Sequence, residues 1–138
     1  MNLPALMQQL MQDEGFRAKP YTDTVGKMTI GYGRNLSDVG ISQEEAEVLL
    51  QNDVLSVVGR LASELPWWSL LPEPQQEVLA NMAFNMGVMA LMTFHTTLGY
   101  VQAGQYDKAA DSMLQSLWAR QVGSRANRLA AMMRTVAT

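Results

Sequence analysis

The chain has no cysteine among its 138 residues, which excludes disulfide frameworks, thiolate metal sites and cysteine nucleophiles. A single histidine, His95, leaves nothing from which to build a multi-histidine metal centre. No metal and no cofactor is therefore expected. Long apolar runs are also missing. No charged residue occurs between Glu77 and Asp107, but Asn81, Asn85, His95, Thr96, Thr97 and three glycines interrupt that stretch. A spanning helix needs about 20 mostly apolar residues in a row, so a buried helix and its connection fit better, and no membrane insertion is expected. Met1 to Met11 has neither a basic nor a strongly apolar region, so no signal peptide is expected. Low-complexity tracts and internal repeats are absent. At 48% apolar and 17% charged, the composition is that of one globular domain spanning 1–138.

Basic residues are scarce in the middle of the chain. From Asn35 to Glu77 eight acids face one basic residue, Arg60, whereas from Lys108 onward five basic residues face Asp111 alone. A basic final third suits an anionic polymer or simply solvated helix faces. With no recognition motif and an acidic middle, no nucleic-acid partner is expected.

What is present is mostly helical periodicity. Leu3, Leu6, Met7, Leu10 and Met11 form one stripe, with Asn2 as cap, Pro4 in the first turn and Gly15 at the exit. Ser42-Gln43-Glu44-Glu45 is a capping box that opens a long helix to about Leu65, stopped by Pro66. Asp53 falls on that helix's apolar stripe, and a carboxylate facing a core needs a cation. Arg34 is its expected partner. Trp67 and Trp68 read as packing at a helix junction. Further helices are expected from Glu73 to Gly87 and over about 88–92, 96–103, 107–117 and 124–135. Between the first two helices, Arg17 to Arg34 reads as a hairpin or short sheet. The fold class is α+β and predominantly helical: a small β-hairpin lobe (about 15–60) and a larger helical lobe (about 1–14 and 61–138) joined by a long helix.

Chemistry concentrates around that hairpin. Glu14 ends the first helix, Asp23 follows nine positions later in a turn, and Thr29 lies on the next strand. Two carboxylates and a hydroxyl are a kit for splitting a glycosidic bond. One carboxyl protonates the leaving oxygen while the other, with the hydroxyl, steers water to the anomeric carbon. Gly31 and Gly33 allow close backbone approach of a ligand, or mark a plain bend.

Glu14-Gly15-Phe16-Arg17, Tyr21-Thr22-Asp23-Thr24, Gly26 and Thr29-Ile30-Gly31-Tyr32-Gly33 resemble the phage-type lysozymes of glycoside hydrolase family 24. Asn81 to Gly87, Phe94, and Trp118 followed by Gln121, Arg125 and Ala126 resemble later landmarks of that family in the same order. The resemblance implies an endolysin: a muramidase cleaving the β-1,4 bond between N-acetylmuramic acid and N-acetylglucosamine of peptidoglycan, with inversion. It implies Glu14 as general acid, with Asp23 and Thr29 holding the attacking water. It also implies Asn35, Phe84, Thr97 and Ser112 as saccharide contacts, Arg125 as partner of the catalytic glutamate, and Arg34–Asp53 as a buried ion pair. A monomer is expected, held in the host cytoplasm until a holin releases it to the wall. The alternative is an inactive wall-binding virion module, which the intact Glu14, Asp23 and Thr29 oppose.

Overall fold

A computed structural model describes residues 1–136. Among these residues there are eight α-helices and one three-stranded antiparallel sheet of order β1-β2-β3. The chain divides into two compact units, Met1–Leu49 and Leu50–Thr138.

The first unit opens with α1 (Leu3–Glu14). The Asn2 side chain accepts the Ala5 amide at 3.0 Å, and Gly15 closes the helix at φ +73°, as the capping residues predict. No residue of α1 is buried. Three strands follow: β1 (Arg17–Thr22), β2 (Met28–Gly31) and β3 (Arg34–Asn35). The β1–β2 register slips between Arg17 and Tyr21. Pro20 lies in that interval and has no amide hydrogen for the ladder, which is why β1 sits at the sheet edge and bulges there. Thr29 is the only buried residue of the first unit among those described.

Helix α2 (Gln43–Glu64) carries the chain from the first unit into the second. Its capping box forms as expected: Ser42 Oγ accepts the Glu45 amide at 3.1 Å and Glu45 Oε1 accepts the Ser42 amide at 2.9 Å. A 3₁₀ turn (Trp68–Leu70) precedes α3 (Glu73–Met86), and Trp67 and Trp68 pack against the core, as expected of junction aromatics.

The second unit continues with α4 (Val88–Met92), α5 (His95–Gln102), α6 (Tyr106–Leu114), α7 (Leu117–Val122) and α8 (Ser124–Met133). The single helix expected over 107–117 ends three residues early, and α7 was not foreseen. Ser116 is the reason. Its Oγ accepts the Ala119 amide at 3.1 Å and donates to the Met113 carbonyl at 2.7 Å, ending one helix and capping the next. The core of this unit includes Leu61, Leu79, Met82, Leu91, Met113, Leu129 and Met133, all fully buried. Buried Gln75 donates from Nε2 to the carbonyls of Met133 (2.8 Å) and Thr135 (2.7 Å), tying α3 to the end of α8.

The ion pair expected between Arg34 and Asp53 is not the one formed. Arg34 instead holds Glu45, with Nη1 donating to Oε1 at 2.9 Å and Nη2 to Oε2. Asp53 is solvent-exposed. A hydrated carboxylate needs no cation, whereas Glu45 is fixed by its cap within reach of β3.

Candidate active site

Glu14 stands at the last position of α1, where Gly15 turns the chain toward β1. Its carboxyl lies against the β2–β3 turn. A β-carbon on Gly33 would fall 3.0 Å from Glu14 Oε2 and 3.2 Å from its Cδ. Gly33 also has φ +79°, a region that other residues enter at a cost. The glycine thus serves both the turn and the acid, and the close approach that Gly31 and Gly33 suggested is, at Gly33, made by the protein's own carboxyl.

Asp23 follows the end of β1 and closes the β1–β2 turn. Its Oδ1 accepts two backbone amides, Val25 at 3.0 Å and Lys27 at 2.8 Å. Both bonds fall on one oxygen, and no donor among the described residues reaches Oδ2. The side chain is half-buried and fixed by the turn, with one carboxylate oxygen left over.

Thr29 lies opposite Tyr21 of β1 and Asn35 of β3 and is 4% exposed. Its hydroxyl donates to the Lys27 carbonyl at 3.1 Å. That carbonyl also accepts the Asp23 amide at 2.9 Å. One peptide oxygen therefore anchors both water-holding candidates. With its proton committed, Thr29 Oγ1 has only lone pairs to offer a further partner.

Asn35 is engaged locally. Its Oδ1 accepts the Asp38 amide at 3.0 Å and its Nδ2 donates to Asp38 Oδ2 at 3.0 Å, which leaves one amide hydrogen. Asp38 Oδ1 in turn accepts Lys27 Nζ at 3.1 Å. Beside this network, the Arg34 guanidinium, chiefly through its hydrogen bonds, pulls the Glu45 carboxyl down to about 2.

In the second unit the remaining candidates form two groups. Phe84 on α3 and Arg125 on α8 line one cavity of about 380 Å³, together with Leu50, Val54 and Val57 of α2. Arg125 donates from Nε (3.0 Å) and Nη2 (2.8 Å) to Asn81 Oδ1, which fixes the guanidinium plane. Phe84 is 42% exposed, which is unusual for a residue of its size and leaves a ring face for a ligand. Thr97 and Ser112 meet directly, Oγ1 to Oγ at 2.7 Å, on a cavity of about 470 Å³ that Phe94, His95 and Trp118 also line. Trp118 is oriented by a bond from Nε1 to Asn85 Oδ1 at 2.9 Å.

Sequence reasoning marked Gly33 for close approach but not by Glu14, and it missed Glu45 as the partner of Arg34 and the Lys27 carbonyl as the anchor of Asp23 and Thr29. The capping box did mark Glu45. A backbone carbonyl has no sequence signature. Among the described residues no group of three His, Cys, Asp or Glu side chains is arranged to hold a metal. No helix among them is long and apolar enough to cross a membrane.

A family model described as phage lysozyme matches residues 11–134. The chain is 31% identical, over 91% of its length, to the pre-baseplate central spike protein Gp5 of Enterobacteria phage T4, and it spans only 27% of that relative. It is 32% identical to the endolysin of Acyrthosiphon pisum secondary endosymbiont phage 1, covering 81% of this chain and 77% of the relative. It is 26% identical to the probable T4-type lysozyme 1 of Dictyostelium discoideum, covering 95% and 94%.

Proposed function

The chain belongs to the phage lysozyme family, which makes it a glycosidase, and from that premise we propose that it cleaves the muramic acid–glucosamine β-1,4 bond of peptidoglycan as an endolysin, with inversion. Glu14 gives its proton to the glycosidic oxygen as that bond breaks. A water donates one hydrogen to Asp23 Oδ2 and the other to Thr29 Oγ1. Its lone pair then faces the anomeric carbon. As the carbon–oxygen bond forms, the water's proton passes to Asp23, so charge and protons balance.

The observation that carries this reading is the shared Lys27 carbonyl. It accepts both the Asp23 amide and the Thr29 hydroxyl, which supports a hydroxyl that accepts from a water. Inversion calls for about 6.5–9.5 Å between the two carboxyls, enough for that water. We assign Phe84, Thr97 and Ser112 to glycan contacts, and the free amide hydrogen of Asn35 to a sugar hydroxyl. Arg125, held by Asn81, is a supporting cation. The chain would act as a monomer, reaching the wall with the help of a holin-type partner.

Incubation with purified peptidoglycan tests the assignment. The parent should release reducing ends, and a folded Glu14→Gln protein should release almost none. Normal release by Glu14→Gln would refute the acid.

A further inference from the structure

We propose that the surface pair Lys27–Asp38 is a positioning device for the attacking water, with the Lys27 backbone amide and carbonyl as its output; this rests on Asp23 and Thr29 holding that water. Three bonds that define the water site converge on this one residue's backbone. Its amide goes to Asp23 Oδ1 at 2.8 Å, and its carbonyl takes the Asp23 amide at 2.9 Å and the Thr29 hydroxyl at 3.1 Å. A displacement of the Lys27 backbone, whose amide and carbonyl flank one α-carbon, therefore moves the carboxylate and the hydroxyl together.

Lys27 lies at the junction of the turn and β2, outside the paired register, where the ladder alone does not hold it. Its side chain adds a restraint from outside the turn. Nζ reaches Asp38 Oδ1 at 3.1 Å, and Asp38 Oδ2 takes Asn35 Nδ2 at 3.0 Å. The Asp38 amide returns to Asn35 Oδ1, and the next residue's amide, Met28, goes to Ser37 Oγ at 2.9 Å. The segment after β3 is thus braced against the turn that carries Asp23, with one carboxylate bridging both.

The side chains of this pair are 42% and 54% exposed. Such pairs contribute little to overall stability. Their removal should therefore register in the rate rather than in the fold. Lys27→Met is the informative change, because it keeps the backbone amide and carbonyl that make all three bonds and deletes only the brace.

The test compares the parent, Lys27→Met, Asp38→Ala, the exchange Lys27→Glu/Asp38→Lys, and Asp23→Asn on soluble peptidoglycan strands. Small misplacements of reacting groups are costly, so each single brace variant should lose about threefold to tenfold in kcat with melting temperature near the parent's, and Lys27→Met, which leaves the Asn35–Asp38 bonds intact, should also keep the parent's KM. The exchange restores the ion pair but not the Asn35 bond, so it should recover part of that loss, which a merely local-charge role would not produce, while melting temperatures near the parent's separate the brace from a merely structural role. Lys27→Met and Asp38→Ala with parental kcat, beside an inert Asp23→Asn, would overturn the positioning role alone. An active Asp23→Asn would overturn the water site and this inference with it.

Discussion

Replacing Gly33 by alanine probes the proposed proton donor, Glu14, without substituting it. Two effects are built into that position. The backbone sits at φ +79°, where a β-carbon costs about 1–2 kcal/mol. The new methyl would also stand 3.0 Å from Glu14 Oε2 and 3.2 Å from its Cδ, tighter than ordinary carbon–oxygen and carbon–carbon contacts. The carboxyl is the end of a flexible side chain, so it yields by a few tenths of an ångström, and the fold is spared further cost. Catalysis is not spared, since a proton donor must lie within about 2.6–3.2 Å of the oxygen it serves. Gly31→Ala is the matched control. Its φ is +70°, and nothing lies within 4 Å of the position a β-carbon would take. Both variants should lose about 1–2 kcal/mol in a urea titration. Only Gly33→Ala should lose activity on purified peptidoglycan beyond what that instability explains, by about tenfold or more. Equal activity in the two variants would refute the proposed seating of the Glu14 carboxyl against the β2–β3 turn.

Three further outcomes are expected. Asp23→Asn keeps an acceptor for the Val25 and Lys27 amides and should fold like the parent yet be inactive, whereas Asp23→Ala should also lose about 1–2 kcal/mol through the broken turn; equal melting of the two would contradict the turn role. Glu45 is held at about 2 against an ordinary 4.5, so the stability it contributes is present above the ordinary value and is lost as pH falls toward 2; Glu45→Gln should flatten that part of an acid-denaturation curve. Leu79→Ala empties a fully buried site and should cost about 2–5 kcal/mol in chemical denaturation.

Local chemistry made much of this fold legible in advance. Asn2, Pro4 and Gly15 bounded α1, and the Ser42–Glu45 box opened α2, because caps are short-range hydrogen bonds between neighbours in sequence. Short α7 escaped notice because six residues carry too little periodicity and the Ser116 cap lies inside a continuous apolar pattern. The Arg34–Asp53 expectation failed because a stripe on a helix says which residues share a face, not which of them a core covers. Leu50 and Val54 flank Asp53 on that stripe and are themselves exposed. In the candidate site, the sequence singled out Glu14, Asp23 and Thr29, but not the way the structure holds them. Peptide groups hold them: the Lys27 amide and carbonyl, and the bare α-carbon of Gly33.

The stereochemistry of the first product is the most direct measurement. Proton NMR should follow the anomeric signal in the first minutes of glycan cleavage, before mutarotation mixes the forms. A water gripped by Asp23 and Thr29 on the face opposite Glu14 requires the new reducing end to appear as the α-anomer. Initial accumulation of the β-anomer, or of anhydro ends, would contradict it.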